Sequence, residues 1–224
     1  LKDRLLHNWN VDLNEAKKIQ ERLSKHLVLE PFTLGKCNVA GIDVSFRKST
    51  QEASAAIAVM NYPSLRIVEI SIARIKMTFP YIPGFLAFRE APAILEAWEK
   101  LKTKPDLLIF DGQGLAHPRR FGLACHLGVL FDMPSIGCAK SHLFGDYPEP
   151  SKEKGAYSYL LDPQKKDKIG AAVRTRANVS CIYISPGNHT DIDSSVRTIF
   201  AMTRRYRLPE PIRFAHQYSG KGWE

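Results

Sequence analysis

The sequence predicts an α/β fold with a mixed sheet, and three observations carry that reading. Apolar positions repeat at helical spacing behind a capping signal near the start, and three strand-like runs with short connections follow. From residue 107 onward, short apolar runs of strand character alternate with helical patterns to the C-terminus. Taken in order, Asp12 with Glu15 three residues on resembles a capping box, and Leu13, Ala16, Ile19, Leu23 and Leu27 form the apolar stripe of a first helix. Residues 39–46 read as a strand, with Ile42, Val44 and Phe46 alternating with Gly41, Asp43 and Ser45. Residues 53–60 and 65–78 read as two more strands around the turn-forming Asn61, Tyr62, Pro63 and Ser64, which predicts an antiparallel meander. The segment Pro80-Tyr81-Ile82-Pro83-Gly84 can continue neither strand nor helix. Pro92 is then expected to open a second helix carrying Ile94, Leu95, Trp98 and Leu101.

Leu107 to Phe110 is a continuous apolar run ending in Asp111-Gly112, the pattern of a central strand covered on both faces. Beyond it the pattern predicts a helix at 120–131, strands at 135–139, 157–161, 169–174 and 182–185, and a helix at 191–202. The polar stretch 162–168 reads as a hairpin tip. With no internal repeat and no long linker, residues 1–224 are expected to form a single domain.

Composition narrows the function classes. A chain of 224 residues that is 44% hydrophobic can fill a core without disulfides, which excludes disordered and mini-protein classes. Cys37, Cys125, Cys138 and Cys181 are scattered with no C-x-x-C pair, so they read as small buried hydrophobes in a reducing compartment. No apolar run approaches the roughly 20 residues of a membrane span. The opening residues carry Lys2, Asp3 and Arg4 where a signal peptide is apolar, so a cytoplasmic protein with no membrane partner is expected. The formal charge of +9 favours a polyanionic partner.

Two carboxylates stand where chemistry is plausible: Asp43 inside a strand and Asp111 at the end of the most apolar one. If those strands are neighbours, the acids converge on a hard divalent metal, with Glu90, at the end of a Phe-Arg-Glu turn, as a third ligand. On the residues alone each has an ordinary alternative: a hydrogen bond to a nearby turn for Asp43, a strand-ending turn for Asp111, a surface lysine for Glu90. Asp-Gly-Gln-Gly is not a dinucleotide fingerprint, because its third glycine is absent.

Val-Ala-Gly-Ile-Asp-Val-Ser-Phe (39–46), Pro-Tyr-Ile-Pro-Gly-Phe-Leu-Ala-Phe-Arg-Glu (80–90), Asp-Gly-Gln-Gly-Leu-Ala-His-Pro-Arg-Arg (111–120) and Pro-Ser-Ile-Gly-Cys-Ala-Lys-Ser (134–141) together resemble the endonuclease V family. The resemblance implies an RNase H-like mixed sheet flanked by helices. It also implies a Mg²⁺-dependent nuclease, with Mn²⁺ as a substitute, that acts on inosine-containing DNA and on RNA as a further candidate. Such an enzyme nicks the second phosphodiester 3′ to the lesion, leaves 3′-hydroxyl and 5′-phosphate ends, and is expected to be a monomer. The metal acids map onto Asp43, Glu90 and Asp111, and a fourth active-site position maps onto His216, suited to hold the attacking water or to protonate the leaving oxygen. Lys140 maps onto a lysine near the scissile phosphate. Pro80, Tyr81, Ile82 and Pro83 resemble a wedge that enters the duplex. Gly84, Leu86, Gly112, His117, Leu123 and Gly137 are expected around the flipped base, where backbone N–H groups would read the inosine carbonyl. Arg119 and Arg120 are expected on phosphates. Two departures stand out: Ser185-Pro186-Gly187-Asn188 where relatives read Ser-Pro-Gly-His, which displaces His189 by one, and Cys138 where valine is commoner.

Overall fold

The computed structural model describes residues 6–221 and 223, so Lys2, Asp3 and Arg4 lie outside the described residues. The first half of the chain forms α1 (Leu13–Ser24), β1 (Cys37–Arg47), β2 (Glu52–Tyr62), β3 (Arg66–Lys76), α2 (Leu86–Glu99), β4 (Leu107–Phe110) and α3 (Leu123–Phe131). The second half forms β5 (Ser135–Ala139), β6 (Tyr157–Leu161), β7 (Lys168–Val173), β8 (Ile182–Pro186), α4 (Ile192–Ala201) and α5 (Glu210–Lys221). All strands join one 8-stranded sheet in the order β3-β2-β1-β4-β5-β8-β7-β6. The meander is antiparallel, β4 and β5 add in parallel to β1, and the remaining strands return antiparallel, so the sheet is mixed as its pattern predicts.

The short strand β4 shows why its run is apolar throughout. Leu108 and Phe110 face a core shared with α1, α2 and α3, while Leu107 and Ile109 face a second core under α4 and α5. The expected cap of α1 forms, with Asp12 accepting the Glu15 N–H at 2.8 Å. The expected hairpin tip forms as well, since Asp162 Oδ1 accepts the N–H groups of Gln164 and Lys165 at 2.8 Å each.

Helix α2 corrects the expectation for Pro92, which lies inside the helix rather than at its start. A proline there withholds one N–H from the Phe88 carbonyl and costs about 3 kcal/mol in a helix interior. Phe88, Ile94 and four alanines of α2 are buried, and the two large side chains alone contribute roughly 1.5–3 kcal/mol each. Tertiary burial therefore outweighs the local rule, and Glu90 sits on a helix, not in a turn. Helix α3 starts at Leu123 rather than 120, because Arg120 takes a left-handed backbone with φ 53°. The four cysteines are free, with Cys37 half-buried and the other three buried. Among the described residues no helix is long and apolar enough to cross a membrane.

Two packing features position the site. The parallel strands β1, β4 and β5 are in register, Ile42 with Phe110 and Phe110 with Gly137, so the residues just beyond them share the carboxyl edge of the sheet. Helix α5 meets β1 at Gly41, where a Cβ would lie 2.0 Å from the Pro211 carbonyl oxygen. Only glycine allows that approach, which lays the later turns of α5 over Asp43.

Candidate active site

Asp43 in β1 points to the α5 side, and Asp111 follows β4 directly, its N–H donating to the Ile42 carbonyl at 2.9 Å. Ligand atoms of Asp43, Asp111 and His216 all lie within 4.8 Å of one another. His216 Nδ1 is 3.2 Å from Asp43 Oδ2, and one turn along α5 the Ser219 hydroxyl donates to the same oxygen at 2.5 Å. Lys140, just past β5, contacts Asp111 Oδ2 and lies 3.6 Å from Asp43 Oδ1 and 3.0 Å from His216 Nδ1. His216 Nδ1 can accept from Lys140 or, protonated, donate to Asp43, but not both at once. Glu90 lines the same cavity of about 400 Å³ without joining the tight trio.

The electrostatics are those of too many buried acids. Burial pushes the Asp43 carboxyl up, yet hydrogen bonds with His216, Asp111 and Ser219 and the Lys140 charge hold it well below the usual range. Burial, then the hydrogen bond and charge of Asp43, push Asp111 up to about 7. Glu90 is raised well above the ordinary value by burial and by both aspartates. The His216 hydrogen bond to Asp43 raises the imidazole. Asp43 and Asp111 therefore behave as a carboxylate pair sharing a proton. One ammonium does not balance three buried carboxyls, and a donor set of carboxylate oxygens with one imidazole suits a hard divalent cation.

The turn before α2 supplies the second part of the site. Tyr81 is 69% exposed, flanked by exposed Pro80 and Pro83. The Arg89 guanidinium lies 5.8 Å from the Tyr81 ring and 4.4 Å from the Phe46 ring. Ile82 does not stand out with Tyr81, because its side chain packs against the α2-side core. Gly84, with φ +83°, takes a left-handed backbone that turns its carbonyl inward. That oxygen accepts from Gln20 Nε2 at 3.1 Å, His117 Nε2 at 2.9 Å and Arg119 Nη2 at 2.5 Å. Since His117 Nδ1 accepts the Arg119 N–H at 3.1 Å, the ring carries its proton on Nε2. Burial, reinforced by the Arg119 charge, pulls His117 down to about 4, so the imidazole is neutral.

Of the residues expected around a base, Gly84, Leu86, His117 and Leu123 line one cavity of about 30 Å³. Gly112 lines the larger cavity next to it and faces Leu86 and Leu123. Gly137 lines neither: backbone of residues 112–114 crosses it, and a Cβ would lie 2.4 Å from Gly114 N. Its role is to let that turn cross β5. Arg119 and Arg120, expected on phosphates, are engaged within the protein: Arg119 Nε donates to Gln20 at 2.6 Å, and Arg120 pairs with Asp162 at 2.8 Å. His189 lies on Glu30 and Asp132 rather than among the site residues. Gln20, Gln113, Leu143 and Ser219 belong to the site and escaped the sequence reading. Gln20 alone left a signal, an amide within the apolar stripe Ala16, Ile19, Leu23.

The fold and the site define an RNase H-like protein with an acidic centre at the carboxyl edge of its sheet. The family model for endonuclease V matches residues 21–217, and the chain belongs to that family. It is 48% identical to the endonuclease V of Dictyoglomus turgidum over 205 residues, covering 92% of this chain and 88% of that protein. The crystal structure of the Streptomyces avermitilis endonuclease V is similar with a TM-score of 0.90 at 37% identity, covering 96% of this chain and 95% of that one. The Ciona intestinalis endonuclease V (D234N), crystallised with DNA containing an inosine followed by a ribo-adenosine, is similar with a TM-score of 0.84 at 29% identity, covering 94% and 96%.

Proposed function

We propose that the protein is a cytoplasmic, monomeric endonuclease that nicks a strand at the second phosphodiester bond 3′ to deoxyinosine or inosine, leaving 3′-hydroxyl and 5′-phosphate ends, in the repair of deaminated adenine. The observation that carries this reading is the convergence of Asp43, Asp111 and His216 within 4.8 Å, on a cavity that Glu90 and Lys140 also line. Asp43, Asp111 and Glu90 would hold the cation, Mg²⁺ or Mn²⁺ in its place, with His216 beside it. A divalent ion bound there supplies Lewis-acid activation of water and of the phosphate. Lys140 places a fixed positive charge against the phosphate as negative charge develops. His216, free to exchange partners at Nδ1, holds the attacking water or returns a proton to the leaving oxygen. Tyr81 replaces the stacking that a flipped base gives up. A cavity of about 30 Å³ admits water rather than a purine, so base entry requires its lining to open.

The direct test is cleavage of matched inosine-containing and plain oligonucleotides, DNA and RNA, with Mg²⁺ and with chelator. The reading requires a single nick, only with inosine and only with the metal. Equal cutting of plain strands would make the protein a general nuclease, and tight inosine binding without cutting would make it a silent binder.

A further inference from the structure

We infer that the nicked strand, on the 3′ side of the cut, is held by a second aromatic platform centred on Tyr206, on the face of the sheet opposite Tyr81; this inference rests on the function proposed above. Tyr206 lies in the connection between α4 and α5 and is 45% exposed. The Arg213 guanidinium lies 4.8 Å from its ring centroid and that of Arg205 5.9 Å. Tyr81 has the same construction, with Arg89 at 5.8 Å. Each tyrosine precedes a helix, α2 for Tyr81 and α5 for Tyr206, and these helices pack on opposite faces of the sheet. The acids lie on the carboxyl edge between the two faces.

The platform is joined to the site. Arg207 donates to the Lys140 carbonyl at 3.4 Å, and Arg213 sits one turn before His216 on α5. Thr175 Oγ1 donates to the Arg207 carbonyl at 2.6 Å and the Glu210 N–H to the Met202 carbonyl at 3.0 Å, which close the loop at its base. The Glu210 carboxylate accepts from Arg213 at 2.6 and 2.9 Å and fixes the guanidinium beside the ring. Arg204 and Arg205 are exposed, with no acidic partner among the described residues.

A strand with its base in the Gly84–His117 cavity on the α2 side, and a phosphate at the acids, emerges over α5. Because the cut falls 3′ to the base, the emerging segment is the 3′ flank. Aromatic rings and guanidinium planes stack on any base, while arginines follow the phosphates. That chemistry suits a flank whose sequence the lesion does not set.

The test is fluorescence-anisotropy binding, in chelator, of single-stranded inosine oligonucleotides shortened stepwise from the 3′ end, and of a second series shortened from the 5′ end. Wild type should lose about tenfold in affinity as the 3′ flank is removed, the order of one lost stack. Tyr206→Ala should start about tenfold weaker and show little dependence on 3′ length, whereas Tyr206→Phe should behave as wild type. Both should respond to 5′ shortening as wild type does. Arg205→Gln should lower the slope of log Kd against log salt by about one. Tyr206→Ala matching wild type along the 3′ series, or losing affinity equally in both series, overturns the inference. Should its unfolding midpoint fall, Arg204→Gln/Arg205→Gln decides in its place by the same two series. Failure of wild type to prefer inosine over adenine at any length would count against the function, not the platform.

Discussion

On the α2 face of the sheet the Gly84–His117 pocket is built of buried, neutral, hydrogen-bonded groups; on the α5 side the buried Asp43 meets two partly exposed basic groups, Lys140 and His216. The Gly84 carbonyl takes three donors, and Arg119 donates to Gly84 and Gln20. His117 there is 3% exposed and pulled down by burial, whereas His216 has a side chain 58% exposed and is raised by Asp43. Telling one purine from another requires fixed donors in a dry, neutral pocket, where an unmatched polar group is costly. Moving a phosphate requires charge that can exchange partners, as Lys140 and His216 do around a single nitrogen. On the proposed function, the difference between two histidines of one site divides recognition from chemistry.

The strongest way to break that division is to remove the acids. Asp43→Ala and Asp111→Ala should each lower single-turnover nicking by about 10³-fold or more, since they would hold the ion that polarises the phosphate. Binding of inosine DNA should stay near wild type, because the same change removes repulsion of the phosphates. Gel-shift and cleavage assays on the same preparations check this, and equal loss of both would indicate misfolding.

Gly41→Ala should disable one side selectively. The Cβ would overlap the Pro211 carbonyl, and backbone cannot yield as a side chain can. Helix α5 should lift from β1, destabilising the fold by about 3 kcal/mol and drawing His216 and Ser219 away from Asp43. Denaturant unfolding should register the loss, and nicking should fall more than inosine binding.

Why some of this was legible in the sequence and some not follows from contact distance along the chain. The meander, the central strand and the candidates Asp43 and Asp111 are local patterns, a period of two and an acid within or just past an apolar run, whereas Lys140 is named only through the family resemblance. Ser219 and Asp43 are 176 residues apart, so nothing near either announces the hydrogen bond. Gly41 reads as one more small strand residue until Pro211 is seen against it. The charge of Arg119 and Arg120 is written in the sequence, but their partners Gln20, Gly84 and Asp162 are not. At Pro92 the local rule is sound and is outweighed by burial of the helix face that carries it.

Titration sharpens the contrast between the histidines. The folded value of His117, about 4, lies below its ordinary 6.5, so below pH 6.5 the unfolded chain binds more protons than the folded one. Stability from this group is complete above pH 6.5 and is lost as pH falls toward 4, by about 3 kcal/mol in all. His126, buried in α3 and also lowered, acts in the same direction, so the difference between wild type and His117→Gln isolates the His117 share. Denaturation across that range, in chelator, should show a flatter pH dependence in the variant. His216 carries the opposite sign: its contribution is complete below 6.5 and fades as pH rises through its raised value, and solvent exposure keeps it small.

The smallest expected effect separates the exposed Tyr81, in the turn before α2, from the buried acid Glu90 within that helix. On the proposed function Tyr81 stacks on bases and holds no ion, so Tyr81→Ala should weaken binding of inosine DNA by about 1 to 3 kcal/mol, the usual worth of a stack. Once enzyme is in excess and all substrate is bound, that deficit disappears from the rate. Glu90 faces Asp43 and Asp111 across the cavity, and on the proposed function Glu90→Ala should alter the chemistry of bound substrate, so no enzyme concentration should restore it. Single-turnover nicking over a range of enzyme concentrations should therefore bring Tyr81→Ala up to the wild-type rate while Glu90→Ala stays slow. If Tyr81→Ala also stays slow at saturation, the stacked ring is setting the register of the scissile phosphate. Arg89, poised between Tyr81 and Phe46 and adjacent to Glu90 in α2, would then be the connection to examine, because displacement of one ring would shift the helix turn that carries the acid.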